Sequence, residues 1–406
     1  MSGDIIGYDL NERCCQISFY NESQKEPQTI GTIALEITKN GQVVYDLYQK
    51  AIKQEMIALK KDDSDELENY DAVGLLAEFI ELSLEKFPVI RQIVFTVPQF
   101  NEQIEMILKS IGQRIGVPKR CVYVQDYRES FYSYMLHQPR ELYQNEVALF
   151  HCEEQQVGAF VLRKVRKGFG KGKDNLVMVD KVAHEQIEEL KEIYPVLNMN
   201  KAKEADLRFK EFVQGVLAKR LVSSVFLVGD GFENNWYPQS LKVLCSGRRT
   251  FVGNNLYSRG ACYLAYKKYL MADGTLSLTE EPVYLDETKM KEQICMKMRV
   301  NGCDKWQPIV SWGKRWTEAD TEFEVLLKNP ENMEIHIESL SGNEMRAETI
   351  SMEGLPQRNN YTVRLLVKVL FLEEMLCKIC VRDIGFGDFF PATDFYVEKE
   401  IRLGGQ

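Results

Sequence analysis

The chain has 406 residues, 45% hydrophobic and 27% charged, with a formal net charge of −9. That length exceeds one ordinary hydrophobic core and predicts two or three domains, and the composition excludes a bulk disordered tail. The acidic balance argues against a general nucleic-acid or anionic-membrane binder, and it leaves 163–173 (RKVRKGFGKGK) as the one basic run, read as a solvated hairpin or loop with a polyanion site as the alternative.

Residues 4–10 and 14–20 read as strands joined by the short polar turn Asn11-Glu12-Arg13. The segment 29–46 alternates around Asn40-Gly41, a second hairpin. Helices are predicted over 47–61 and 67–87, on either side of a charged loop. A core strand, 90–97, ends at Pro98, and 100–115 carries Ile104, Ile107, Leu108 and Ile111 on one helix face before Gly116 stops it. A brief strand at 122–124 precedes a helix capped by Asp126. Residues 147–161 are strand-like around the polar centre His151-Cys152-Glu153-Glu154, and 182–196 and 202–217 read as helices.

The segment 221–266 organises the chain. It opens on a buried strand, 222–228, and Gly229-Asp230-Gly231 then turns where backbone can approach a bound group closely. Small residues from Ser258 to Ala265 let a helix press against a neighbouring backbone. After residue 273 the pattern changes to short strands at 293–300, 309–312, 321–327, 333–338, 362–371, 375–381 and 394–399, separated by turn pairs such as Asn301-Gly302, Asn329-Pro330 and Ser341-Gly342. The expected organisation is an α/β domain over 1–272, with lobes at about 1–140 and 141–272, a linker at 273–280 and an all-β domain at 281–406 with no helical lid.

No apolar stretch reaches membrane-spanning length, and the first ten residues lack the pattern of a secretory signal. Ten scattered cysteines suit a reduced, cytoplasmic protein. The single CxxC, Cys377 and Cys380, sits in an alternating run that points its two thiols to opposite faces. Trp306, Trp312 and Trp316 open the β-rich part as core or as a protein-contact surface. No histidine has a Ser, Cys or Asp partnership that supports triad chemistry.

The order of elements resembles the actin-like (ribonuclease H-like) ATPase superfamily, and within it the 70-kilodalton heat-shock chaperones. Asp9-Leu10-Asn11 is similar to the first phosphate-contacting hairpin, Val94-Phe95-Thr96-Val97-Pro98 to the "TVPAYF" strand, and Gln125-Asp126-Tyr127 to the start of the "NEPTAAA" helix. Val228-Gly229-Asp230-Gly231 resembles the "VGGxSR" adenosine turn, and Gly260-Ala261-Cys262 the small-residue helix that ends the ATPase domain. Glu353 to Arg358 and Asp383-Ile384-Gly385 resemble parts of the peptide-binding sandwich. The resemblance implies a two-lobed ATPase fold followed by a β-sandwich. It also implies ATP or ADP with Mg2+ near Asp9, Leu10, Asn11, Gly229, Asp230, Gly231 and Gly260, with Asp9 reaching the metal through water, and a protein or peptide partner.

The departures weaken hydrolysis. Phosphate transfer needs converging backbone N–H groups and carboxylates that hold hydrated magnesium. Asn11 replaces the hairpin glycine, and Glu12, Arg13, Cys14 and Cys15 replace small hydroxyl residues. The second hairpin, expected at 147–160, has no glycine run and puts Phe150 or His151 at the family's acidic position. His151 with Glu153-Glu154 could form a metal pair only with further ligands. A cleft lysine could be Lys53, Lys60 or Lys61. The expectation is a chaperone-like binding or scaffold protein with weak or absent ATP hydrolysis. An active ATP-dependent chaperone and a kinase of the same superfamily are the alternatives.

Overall fold

β1 (Asp4–Leu10) and β2 (Cys14–Asn21) form an antiparallel hairpin in the register Asp9 opposite Gln16 and Leu10 opposite Cys15. The period of two sends Ile6, Tyr8 and Leu10 into one core, and Ile5, Gly7 and Asp9 to the other face. In this computed structural model the described residues are 3–61, 66–153, 156–165, 176–188, 190, 199–273, 282–300, 302–328, 331–339, 345–358 and 362–404.

β3 (Glu26–Thr29) and β4 (Ile33–Ala34) pair with β2. β5 (Ile37–Lys39) and β6 (Gln42–Val44) close the hairpin at Asn40-Gly41, both residues left-handed at φ 49° and 70°. The helix expected over 47–61 ends early: α1 (Leu47–Ile52) gives way to β7 (Met56–Lys60), which alternates buried Ile57 and Leu59 with exposed neighbours. β8 (Leu67–Asp71) pairs with β7, so the first residues of the expected helix 67–87 are strand. α2 (Ala72–Ser83) starts where Asp71 accepts from Val73 and Gly74. β9 (Ile90–Val97), α3 (Glu102–Arg114), β10 (Val122–Asp126) and α4 (Tyr127–Leu136) follow, the last capped by Asp126 accepting from the Glu129 N–H at 2.9 Å.

The second half repeats the first. β11 (Glu146–Glu153), β12 (Gln156–Val165), β13 (Leu176–Gln186), α5 (Met199–Leu217), β14 (Val222–Val228), α6 (Pro238–Leu244), β15 (Arg249–Val252) and α7 (Leu256–Ala272) run in that order. The helix expected at 182–196 is contradicted through Gln186. Buried Val177 and Val179 alternate along β13, and 191–196 lie outside the described residues. The first sheet is ordered β10-β9-β1-β2-β3 and the second β15-β14-β11-β12-β13. In each, the opening strand is antiparallel to the next strand and parallel to its other neighbour.

The two halves exchange helices. α7 packs on the first sheet, where Ile5 and Val94 meet Ala261 and Ala265. A Cβ on Gly7 would lie 2.2 Å from the Ser258 carbonyl, and one on Gly260 would lie 2.1 Å from the Ser130 carbonyl, so both approaches require glycine. α4 packs on the second sheet, with Phe131 and Tyr134 edge-on to Phe226.

Residues up to Val165 with Val177–Pro282 make one compact unit, and Val283–Gln406 belong to a second. Within the second are β16 (Val283–Leu285), β17 (Glu292–Val300), β18 (Cys303–Val310), β19 (Thr321–Lys328), β20 (Asn332–Ser339), β21 (Met345–Ser351), β22 (Thr362–Glu373), β23 (Leu376–Asp383) and β24 (Tyr396–Arg402). Sheets ordered β18-β17-β20-β21 and β19-β22-β23-β24 enclose one core, in which Ile294, Ile335 and Ile350 meet Leu365, Val367 and Ile379. The strand expected at 309–312 instead runs over Cys303–Val310, and β21 was not expected because its composition is that of a polar edge strand. Of the expected turns, Asn301, Asn329-Pro330 and Ser341-Gly342 lie outside the described residues, as do 274–280 of the expected linker and 166–173 of the basic run. Arg163, at the start of that run, pairs with Asp180.

The chain is thus an N-terminal mixed α/β domain followed by an all-β domain. Its tryptophans do not form one patch. Trp306 stacks on His336 on the outer face of its sheet at 3.6 Å, whereas Trp316 packs against the core. Trp312 is half-buried just beyond β18. Cys377 lies in the core and Cys380 outside it, as the alternation requires. Among the described residues no helix is long and apolar enough to cross a membrane.

Candidate functional site

A cavity of about 430 Å³ opens between the two halves of the α/β unit, at the carboxyl ends of β1, β11 and β14. Crevices at the carboxyl ends of parallel strands are where α/β sheets place ligands, because the following turns and helix starts converge there. Asp9 precedes the β1–β2 turn by the same interval as His151 precedes the β11–β12 turn. Each meets a tyrosine from an exchanged helix. Tyr127 stands beside Asp9, whose carboxyl its hydroxyl holds down, and the Tyr257 hydroxyl lies 2.8 Å from His151 Nδ1. The two tyrosine rings stack on one another, forming part of the cavity wall.

Burial pushes the Asp9 carboxyl up to about 7, against the Tyr127 hydrogen bond that lowers it and with the nearby Glu153 raising it further. Its Oδ1 atom is buried without a hydrogen-bond partner. The His151 ring, with Nε2 3.6 Å from Glu153 Oε2, holds Glu153 below the ordinary carboxylate range, helped by the charge of Arg13. Burial raises Tyr127 and Tyr257 well above the usual phenol range, with Asp9 the next cause for each. Burial also pushes the Cys14 thiol up to about 11.

The hairpin turn is closed on itself. The Arg13 and Cys14 N–H groups both donate to Asn11 Oδ1 at 2.9 Å, and the Asn11 N–H donates to the Cys14 carbonyl at 3.1 Å. In the opposite wall the Gly229 N–H donates to Asn254 Oδ1 at 3.3 Å. Gly229 sits at φ 108°, where a Cβ would lie 2.1 Å from the Cys152 carbonyl. A Cβ on Gly231 would lie 2.3 Å from Cys152 Sγ. Close packing against Cys152 therefore accounts for both glycines. The Arg13 guanidinium reaches across to Asp230 at 3.4 Å and joins the two halves at the surface.

Of the sequence-predicted residues, Asp9, Asn11, Gly229 and Asp230 line the cavity together with Arg13, Cys14, His151 and Glu153. Leu10 points into the core of the first half, and Gly260 lies against Ser130. Phe150 is fully buried against Phe209 and Phe212, so His151 takes the position expected for a carboxylate. Glu12 lies outside the lining and accepts from Gln49. Lys53, Lys60 and Lys61 do not line the cavity either, and Lys53 pairs loosely with Glu55. Glu154 lies outside the described residues. Among the described residues no group of three His, Cys, Asp or Glu side chains is placed to hold a metal ion. Sequence reasoning missed Tyr127, Tyr257, Glu233 and Asn254 as lining residues. The one signal for the tyrosines is that each stands at the start of the helix closing a repeated strand order.

Residues 16–287 match a family of unknown function (DUF5716), C-terminal part, and residues 289–403 match a domain of unknown function (DUF8552). The chain belongs to the DUF5716 family. No curated protein matches the sequence. In this DUF5716 protein the matched span covers most of the cavity, while Asp9, Asn11, Arg13 and Cys14 precede it.

A magnesium-bound nucleoside triphosphate does not fit this residue set. The hairpin amides that would grip phosphate are occupied by Asn11, and a histidine replaces the second carboxylate. Asp9, Glu153, Asp230 and Glu233 line the cavity with Arg13 as the one strong cation among the lining residues, so polyanion charge meets like charge. The DUF5716 cavity is chemically a donor-seeking site, rich in buried acceptor oxygens and backed by aromatic rings.

Proposed function

We propose that this protein is a degenerate relative of the actin-like ATPases, akin to the heat-shock chaperones, that works as a binding or scaffold module with little or no ATP hydrolysis. Support for the fold comes from the duplicated strand order, the exchanged helices and the cleft between the halves, followed by a two-sheet domain. One observation carries the loss of turnover: the Asn11 carboxamide oxygen already takes the N–H groups of Arg13 and Cys14, as a phosphate oxygen would. Transfer of a γ-phosphoryl group would then lack both its cradle and the second carboxylate that positions hydrated metal.

The binding partner in this reading is a protein or peptide engaged by the all-β domain. Trp306 on the outer sheet face is one aromatic group available to it, whereas Trp316 contributes to packing. All ten cysteines are free thiols, which suits a cytoplasmic setting.

Calorimetry with ATP or ADP and magnesium, followed by single-turnover phosphate release, tests the proposal. The expected result is no saturable magnesium-dependent nucleotide binding and no release above background. Rapid magnesium-dependent hydrolysis that disappears in Asp9→Ala would instead establish the active-ATPase alternative.

A further inference from the structure

The cleft's chemistry selects a ligand class. Asp9 is 7% exposed, borders the cavity and leaves Oδ1 without a hydrogen-bond partner. On the opposite half, Asp230 Oδ1 is also buried and unpartnered, while its other oxygen engages Arg13. The two residues come from different elements and line one space of about 430 Å³. The same space is bordered by Glu153 and Glu233, and by Tyr127 and Tyr257. Buried carboxylate oxygens of this kind are satisfied by charged N–H donors, and a guanidinium matches their geometry best. Arg13 already supplies one guanidinium at the rim, half-exposed, where its hold on Asp230 is weak.

The polar wall continues behind Asp9. Thr96 lies opposite Asp9 in the parallel register, and Gln125 lies opposite Thr96. Both are buried, and Thr96 Oγ1 and both polar atoms of the Gln125 side chain have no hydrogen-bond partner. Three adjacent strands thus present unsatisfied polar groups on one face, at the end of the sheet that borders the cavity.

We propose that this cleft binds a small organic cation of the guanidino-amine class, held by Asp9 on one wall and by Asp230 and Glu153 on the other, with Arg13 as an internal competitor for the same oxygens. This rests on the reading of the cleft as one that does not hold nucleotide. The ligand's ammonium or guanidinium group donates to the Asp9 and Asp230 carboxylates, beside the tyrosine pair that lines the same cavity. Phosphorylated ligands are rejected by the same four carboxylates.

Titration calorimetry of the full chain with agmatine tests the inference, alongside thermal melts that verify folding of each variant. Wild type is expected to bind one agmatine saturably, with affinity falling about tenfold from about pH 8 to about pH 6 as Asp9 takes up a proton. Asp9→Asn and Asp230→Asn are each expected to weaken binding by about tenfold or more, and Arg13→Ala to tighten it several-fold. Failure of folded wild type to saturate at millimolar agmatine would overturn the inference, as would affinity unchanged in both asparagine variants. Phosphate release from ATP would sink the preceding reading of the cleft. Absence of agmatine binding without ATP turnover sinks this inference alone.

Discussion

Tyr127 and Tyr257 lie face to face, ring centroids 3.7 Å apart and planes 6° from parallel. One opens α4 from the first half and the other lies in the first turn of α7 from the second, so a single contact joins both copies of the repeat. Their hydroxyls serve non-equivalent partners, Asp9 and His151. The two halves thus differ chemically at one matched position, which holds a carboxyl in the first and an imidazole in the second.

The pH dependence of stability follows from Asp9. Its folded-state carboxyl is pushed up to about 7 by burial, above its unfolded value, so the folded state favours the protonated form. That contribution is complete below the ordinary carboxylate range and is lost as pH rises through about 7. Asp9→Asn stays neutral throughout. Denaturant unfolding should find the variant close to wild type near pH 4, and more stable near pH 8 by up to about 4 kcal/mol. A difference between the two proteins that does not change over this range would refute the assignment.

The helix exchange depends on glycine. Gly260→Ala puts a methyl group 2.1 Å from the Ser130 carbonyl, a backbone atom that cannot rotate away. Overpacking of this kind costs about 1–3 kcal/mol, and the rigidity of both partners puts the change at the upper end. Gly215→Ala is the control: Gly215 lies exposed within α5, with nothing within 4 Å of the added carbon. It should gain about 0.5–1 kcal/mol from helix propensity. Urea midpoints moving in opposite directions are the expected readout.

These same contacts mark how far the sequence could be read. The Asn40-Gly41 turn, the apolar face of α3 and the Asp126 cap are local signals, and each structure forms where its residues predict. β7, β8 and the last residues of β13 fall where helix is expected, because short segments fit either period until a pairing strand chooses. Asp9, Asn11 and Asp230 are expected at a cleft because the resemblance to the actin-like ATPases puts them there, and all three line the cavity. The tyrosine pair is not expected there, since nothing near Tyr127 in sequence announces Tyr257. The same holds for the Asn11 carboxamide, whose hold on the Arg13 and Cys14 N–H groups needs the side-chain rotamer as well as the residue.

In the all-β domain the strongest single interaction to test is Arg358 with Asp383. Both are buried, 2.5 Å apart, and Asp383 also accepts from the Gly385 N–H and from the Thr393 N–H and hydroxyl. Arg358 also donates to the Pro391 carbonyl, so one pair ties both ends of the loop carrying fully exposed Phe389. Arg358→Met leaves the carboxylate buried without its counter-charge and should cost about 3–5 kcal/mol. Limited proteolysis should then cut within 384–394 before the strands on either side. Cleavage at the wild-type rate, with stability unchanged, would mean that the loop is held by its backbone bonds alone.

The closed hairpin makes the last prediction. Asn11→Gly removes the oxygen that holds the Arg13 and Cys14 N–H groups while keeping a residue suited to the turn. Freed amides next to the Arg13 guanidinium form an anion-binding concavity, so inorganic phosphate should bind the variant in the millimolar range and wild type not at all by phosphorus NMR line broadening. Adding Asp230→Asn removes a like charge from the opposite wall and should tighten phosphate binding further. ATP hydrolysis should remain absent in both variants, because His151 cannot supply the carboxylate that a hydrated magnesium ion requires. Equal phosphate binding by wild type and Asn11→Gly would show that the Asn11 carboxamide does not block the turn, and the proposed lack of turnover would then have to rest on His151 alone.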